Sequence, residues 1–293
     1  MLFLVVAKLS FFMSIILPIG SILPVDEQGY LVRQASLEKI VEPWRSLVDD
    51  VAAAYVMAWS NQVMGVYIRG SVAAGQAIFN HSDVDSLAVV SGDHRECDRR
   101  WFKKLNQQIS RHYPFCRGVE FSVISGDRLL DLTDHSYDNL RMLIATQAVC
   151  IWGKNVVDDL PKVRPDMTCI HHSFDLEADL NQLIEDLLDL PENPSDPLQQ
   201  QVYIRKLCQW SMKRIVRSGF ELVMERDQCF TRDLHPCYER FSHYYPTQQS
   251  SMWQALTWAI NPIDSPERII EFLDQFGGWL VKEIDWRYPP ILE

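Results

Sequence analysis

The stretch VMGVYIRGSVAAGQAIFNHSDVDSLAVV, residues 63–90, decides the fold of this chain. It contains two apolar runs, 63–68 and 84–90, and each has the length of a buried strand. Asp83 and Asp85 stand two positions apart at the start of the second run. Because side chains alternate along a strand, both carboxylates are predicted to lie on one face of a sheet.

The residues around this stretch predict an α/β arrangement. A helical pattern covers 36–60, with Ser36 as a candidate N-cap, and 71–79 can hold one or two helical turns. An amphipathic helix (94–113) and a third apolar run (118–124) follow. The order strand, short helix, strand, long helix, strand predicts a small mixed sheet covered by helices.

The second half of the chain is predicted to be helical. Strand patterns stop after 141–153, and helical periodicity dominates from Ser173 onward. We therefore expect an α+β protein, in which a small mixed-sheet domain is followed by a C-terminal helical bundle. The predicted helices cover 174–190, 198–224, 249–260 and 266–283. The predicted domains are an apolar leader and N-terminal segment (1–34), the mixed-sheet domain (35–160) and the helical domain (166–293).

The acidic balance of the chain limits its partners. Its 293 residues carry a formal net charge of −11, and the pI is near 5.2. A general binder of nucleic-acid backbones needs a basic face, so nucleic acid is not an expected partner. A metal ion, a cationic substrate or a small nucleotide remains compatible with this charge.

The cysteines and the N-terminus bear on localisation. Seven cysteines are scattered without a CxxC pair or zinc spacing, which indicates reduced thiols and a cytoplasmic protein. Residues 1–24 are strongly apolar, and export or anchoring through them is the minor alternative. Lys8 follows the first apolar run and Pro18 interrupts the second, so no stable membrane contact is expected. Translation from Met13 would also explain this leader.

Two carboxylates on one strand face predict a metal site. Asp83 and Asp85 repel each other and raise each other's proton affinity, so a bare pair is unfavourable. A divalent cation resolves that conflict, since carboxylate and phosphate oxygens are the ligands that Mg²⁺ prefers. Two such ions would stabilise the attacking and leaving oxygens of a phosphoryl displacement.

The upstream turn and the third strand suit the same chemistry. Gly70 lets the backbone approach a ligand closely, and Ser71 offers a hydroxyl and an amide, so the pair is a predicted seat for phosphates. Glu120, within the third apolar run, is the predicted third carboxylate. It either completes the metal shell or takes a proton from an attacking hydroxyl.

These residues resemble the signature of the DNA polymerase β-like nucleotidyltransferase superfamily. Gly70-Ser71, a ten-residue spacer, and then Ser82-Asp83-Val84-Asp85 before an apolar strand carry the resemblance, and Glu120 matches the third acidic position. With a helical second half, the chain is similar in outline to the aminoglycoside adenylyltransferase-type branch. One departure is the loop QAIFNH (76–81), because that branch often has a second glycine pair there.

The resemblance implies a Mg²⁺-dependent enzyme that moves a nucleoside monophosphate from an NTP to an acceptor and releases pyrophosphate. We expect ATP as the donor, AMP as the transferred group and a small-molecule hydroxyl as the acceptor. The alternatives are nucleotidylation of a protein or an RNA, and a nucleotide-binding regulatory protein of toxin–antitoxin type. The sequence does not set the oligomeric state.

Three further residues are candidate nucleotide contacts. Lys206 and Lys213 are spaced to fall near one face of a helix, from which a cation could reach a triphosphate. A solvated helix face explains the same two residues. Ser82 either contacts the nucleotide or caps the turn before the second strand.

Overall fold

The computed structural model describes residues 16–92, 99–170, 172–191 and 195–289. The chain forms two compact units. The sheet unit comprises Leu23–Cys169 and Gln228–Phe230, and the helical unit comprises Ile170–Asp227, Thr231–Glu293 and the described residues up to Ile22. The domain bounds expected from the sequence, 35–160 and 166–293, stay predictions.

The sheet unit contains one mixed sheet of four strands in the order β3-β2-β1-β4. β1 pairs antiparallel with β2 and with β4, whereas β2 and β3 are parallel. The strands are β1 (Val63–Arg69), β2 (Val84–Val90), β3 (Val119–Ser125) and β4 (Ala148–Gly153). Three of them were predicted, and the fourth lies at the end of the stretch 141–153.

Helices cover both faces of this sheet. Buried residues of β1 and β2 such as Val66 and Ala88 form one core with Leu47 and Val51 of α1. On the other face Tyr67 packs in a second core with helices α4 and α5. The helices of the sheet unit are α1 (Trp44–Trp59), α2 (Gly70–Ala73), α3 (Arg99–His112), α4 (Gly126–Leu130) and α5 (Asp138–Gln147).

The first predicted helix begins later than its apolar pattern. Ser36 does act as a cap, since its hydroxyl accepts from the Glu38 amide, but it caps only a short 3₁₀ turn, Leu37–Lys39. α1 starts at Trp44, directly after Pro43. This is where the fixed φ of proline is tolerated, because the first turn of a helix needs no amide donor.

The helical unit is a bundle around one long helix. Its helices are α6 (Leu176–Leu188), α7 (Pro197–Asp227), α8 (Leu234–Tyr244), α9 (Gln249–Ile260), α10 (Pro266–Phe272) and α11 (Gly278–Arg287), with a π-helical turn at Leu273–Gly277. α7 packs against α8 and α9. The α+β class with a small mixed sheet and a helical C-terminal part is thereby confirmed.

Two predictions touch parts of the chain that the structure does not describe. Residues 1–15 of the apolar leader and residues 94–98 of the predicted long helix lie outside the described residues. Across the described ranges, no helix combines the length and the apolar character needed to cross a bilayer. The six described cysteines are free thiols.

Candidate functional site

The site begins at the turn where β1 ends and α2 starts. Gly70 has a φ of +73°, in the left-handed region that favours glycine. A Cβ atom placed on Gly70 would lie 2.5 Å from Oδ2 of Asp85, which is closer than carbon and oxygen can pack. The positive φ favours glycine at this position, and a larger residue would also have to move the carboxylate of Asp85, which lies directly against the turn.

Strand register aligns three charged residues beside this turn. Arg69 on β1 pairs with Asp85 on β2, and Asp85 pairs with Glu120 on β3. Nη2 of Arg69 lies 3.4 Å from Oδ1 of Asp85 and 3.4 Å from Oε1 of Glu120. One guanidinium thus faces two carboxylates, and the cluster keeps an excess of negative charge.

The pKa of Asp85 is raised to about 6. Burial is the largest cause, the Arg69 guanidinium opposes it, and the nearby carboxylates of Glu120 and Asp83 add to the rise. An additional cation at this position would relieve the repulsion and favour the ionised form.

Ser82 and Asp83 lie directly before β2 and are partly exposed. Oδ2 of Asp83 is 3.5 Å from Nη2 of Arg117. Oγ of Ser82 accepts a hydrogen bond of 2.9 Å from the Ile78 amide, so this hydroxyl closes the loop before β2. The capping role of Ser82 is observed, and its contact with a nucleotide stays a prediction.

Buried hydrogen bonds hold the acidic strands in register. The hydroxyl of Ser86 on β2 donates to the Glu120 carbonyl at 2.7 Å and lies 3.0 Å from the Tyr55 hydroxyl. The Ser122 amide donates to the same Tyr55 oxygen at 3.0 Å. At the start of β3, the Asn106 side chain bonds both the carbonyl and the amide of Val119. The backbone that carries Asp85 and Glu120 is therefore fixed by α1 and α3.

The donor set is suited to a hard divalent cation. Asp83, Asp85 and Glu120 supply carboxylate oxygens, which Mg²⁺ prefers, and their negative charge is only partly balanced. Within the described ranges, no three Asp, Glu, His or Cys side chains already converge around one point as metal ligands would. Asp83 and Asp85 each face an arginine instead, and the magnesium assignment stays a prediction.

The remaining predicted residues have the following positions. Ser71 follows Gly70 in α2 and is partly buried. Lys206 is exposed on α7, and Lys213 is partly buried on the same helix. Both lysines belong to the helical unit, so their contact with a nucleotide stays a prediction.

Sequence reasoning missed the two arginines of the site. The sequence does not assign a role to Arg69 or Arg117, although they lie beside Asp85 and Asp83. The signal for Arg69 is its place directly before Gly70, at the end of a strand. Only the pairing of β1 with β2 and of β2 with β3 shows that it reaches both acids.

Among known proteins, the chain shows distant structural likenesses to solved structures and no match by sequence. Neither the protein-family models nor the curated proteins gave a match. Among solved structures, the chain is similar to the spectinomycin adenyltransferase AAD(9) from Enterococcus faecialis, solved with ATP and spectinomycin. The TM-score is 0.44 at 14% identity, over 82% of this chain and 98% of that one. The case for a function therefore rests on the residues of the site.

Proposed function

We propose that this chain is a nucleotidyltransferase that transfers AMP from ATP to a hydroxyl group of a small molecule and releases pyrophosphate. The observation that carries the proposal is the contact between the Gly70 turn and Asp85, with Glu120 in register beside it. A turn that can seat phosphates and two carboxylates that can bind cations thereby lie side by side, where β1 ends and β2 begins.

The transfer is an in-line displacement at the α-phosphorus. The acceptor oxygen forms a bond to that phosphorus, and the bond to the oxygen that bridges to the β-phosphorus breaks. Pyrophosphate leaves with that bridging oxygen. Positioning and charge neutralisation are the main catalytic contributions in reactions of this kind.

Residues of the sheet unit would perform the separate tasks. The backbone at Gly70 and the hydroxyl of Ser71 would donate to the triphosphate. The Arg69 guanidinium, within reach of Asp85, adds positive charge beside the same turn. Glu120, whose side chain is 58% exposed, can accept the proton of the attacking hydroxyl. Asp83 and Asp85, with Glu120 as a third ligand, would hold two Mg²⁺ ions, which when bound neutralise charge on the attacking and leaving oxygens.

The decisive experiment replaces the two aspartates. Asp83→Asn and Asp85→Asn each remove one negative charge while keeping the side-chain volume. We expect each variant to lose transfer of AMP to acceptor by at least about 100-fold, because charge stabilisation in such sites contributes that much or more. Pyrophosphate release with ATP, Mg²⁺ and a panel of hydroxylated small molecules measures the loss, and mass spectrometry identifies the modified acceptor.

The matched control is Asp49→Asn on α1, which removes an exposed carboxylate whose ion pair within the described ranges is with Arg45. This control should keep full activity, and all three variants should fold; Asp85→Asn should melt no lower than the wild type, because it removes a carboxylate whose ionised form burial disfavours. Near-normal transfer by Asp83→Asn or Asp85→Asn would refute the proposed roles. ATP binding without turnover on any acceptor would favour the regulatory nucleotide-binding alternative.

A further inference from the structure

A pocket of about 480 Å³ opens in the helical unit between α9 and the α10–α11 segment. Its volume falls within the range of small-molecule sites, which is roughly 300–1,000 Å³. All of its lining residues lie between Gln248 and Trp279, so the helical unit alone forms it. None of these residues belongs to the site built around Asp85.

Aromatic rings form the floor of the pocket. Trp258 packs on Phe272 at 5.2 Å between ring centroids, and Phe272 packs on Phe276 at 5.5 Å. Phe276 and Trp279 stack nearly parallel, at 5.6 Å and 10°. Trp258, Phe272 and Phe276 are buried, whereas Trp279 is partly exposed. Trp279, as the partly exposed ring of this group, offers a flat apolar face to a ring-shaped ligand.

Polar side chains surround this floor on two sides. Gln254 lines the pocket from α9, and Arg268 and Glu271 line it from α10. Arg268 lies over the Trp258 ring at 5.5 Å, and it has no ion pair with any residue that the structure describes. The Gln254 amide likewise makes no hydrogen bond within the described ranges, so both side chains are available to a ligand.

The backbone of the pocket wall is unusual as well. The π-helical turn Leu273–Gly277 interrupts the helix between α10 and α11. Two consecutive residues of that turn, Gln275 and Phe276, both line the pocket. π-helical turns are rare and are frequent at functional sites, where they change the direction of side chains. This is an indication of a ligand site that is independent of the lining chemistry.

The chemistry of the lining selects a ligand class. One arginine and one glutamate leave the pocket without net charge, and a polyphosphate would need several cations. Amide and carboxylate groups around an aromatic floor suit a ring with apolar C–H faces and hydroxyl groups at its edge. We propose that this pocket binds a neutral polyhydroxylated ring, such as a sugar or a cyclitol. The ring lies against Trp279, and its hydroxyls bond to Gln254, Arg268 and Glu271. This site does not depend on nucleotidyl transfer.

Saturation-transfer NMR on the full chain tests the proposal with myo-inositol, glucose, galactose and adenosine as separate probes. We expect saturation of ring C–H protons by at least one of the three polyols, with a roughly millimolar dissociation constant typical of such small ligands. Gln254→Ala and Arg268→Met should each weaken that binding at least fivefold, by titration. Lys282→Met, which removes an exposed cation of α11 away from the pocket lining, should leave it unchanged.

Three results would overturn the proposal. The first is no saturation transfer to any polyol while the chain is folded by circular dichroism. The second is polyol binding that neither pocket variant changes, which would place the ligand elsewhere. The third is binding of adenosine alone, which would replace the ligand class by a nucleobase. All these readouts are binding measurements, so an inactive nucleotidyltransferase site would not affect them.

Discussion

The absence of a Cβ atom at Gly70 allows the carboxylate of Asp85 to lie against the turn between β1 and α2. Gly70 combines a positive φ with a carboxylate that lies where a Cβ atom would be. The side chain of Asp85 is 23% exposed, and it uses this space to lie against the turn. A ligand seated on the turn would consequently meet the carboxylate at close range.

Gly70→Ala is expected to disable the site. The new methyl group would strain the backbone and displace Asp85, and a shift of about 1 Å in a catalytic group can lower turnover about 100-fold. AMP transfer and thermal melting should be measured on the same preparation. Gly92→Ala is the matched control, since Gly92 has a φ of +82° and no described residue has an atom within 4 Å of its Cβ position. Equal activity losses in the two variants would attribute the effect to backbone strain and not to Asp85.

The residues of the site differ in how far the sequence predicts them. The sequence predicts Asp83, Asp85 and Gly70 as site residues because their spacing is local and they lie beside two apolar runs. It does not predict that Arg69 lies between Asp85 and Glu120, since this depends on strand pairings between distant segments. The sequence allows two roles for Ser82, a contact with the nucleotide or a cap of the turn, and only the structure shows that its hydroxyl accepts a hydrogen bond from the Ile78 amide.

At the scale of elements, one tyrosine connects the layer of helices to the acidic strands. Tyr55 on α1 is fully buried, and its hydroxyl contacts the Ser86 hydroxyl and both the amide and the carbonyl of Ser122. β2 and β3 are parallel neighbours, so this shared contact fixes their register. The alignment of Asp85 with Glu120 depends on that register.

Tyr55→Phe should therefore destabilise the sheet unit. Removing the hydroxyl leaves the Ser122 amide and the Ser86 hydroxyl with fewer partners in a buried site, which costs about 1–3 kcal/mol. Urea unfolding followed by circular dichroism measures the change. Tyr113→Phe is the control, because Tyr113 makes its bonds to Ser46 and Asp50 at the exposed surface. Similar small losses in both variants would show that the Tyr55 network does not hold the register.

Most elements were predictable, and the exceptions have physical reasons. α9 was predicted with its observed bounds, 249–260, because apolar periodicity and flanking loops agree. β4 follows α5 without an intervening turn, so no glycine or proline marks its start at Ala148. The helical pattern from residue 36 did not show that Pro43 delays α1 to Trp44.

At the scale of the whole molecule, a buried carboxylate organises the helical unit. Glu221 on α7 is 3% exposed and accepts hydrogen bonds from the amides of His172 and Ser173 and from both of their side chains. Burial alone would raise the pKa of Glu221, but these hydrogen bonds outweigh it and hold the pKa below its usual value. The pairing joins positions 49 residues apart, which no local pattern reveals.

His172 makes the stability of the helical unit depend on pH. Burial lowers the pKa of His172 to about 4, although the hydrogen bond to Glu221 opposes the shift. An unfolded chain has a histidine pKa of about 6.5, so between pH 6.5 and 4 the unfolded state binds a proton that the folded state does not. The contribution of His172 to the free energy of unfolding should therefore decrease as the pH falls through this window, whereas Asp85, whose pKa is raised, contributes in the opposite direction. The expected loss is on the order of 3 kcal/mol.

His172→Asn should make this pH dependence shallower, because asparagine fills similar space and takes up no proton. Urea unfolding of the wild type and the variant at pH 7, 6 and 5 measures the two slopes. Ser218→Ala is the matched control, since the Ser218 hydroxyl donates to the His172 carbonyl and carries no titrating group in this range. That control should lower the free energy of unfolding by a similar amount at each pH and keep the wild-type slope. Parallel curves for the wild type and His172→Asn would show that another group is responsible for the pH dependence, because asparagine at this position cannot link protonation to unfolding.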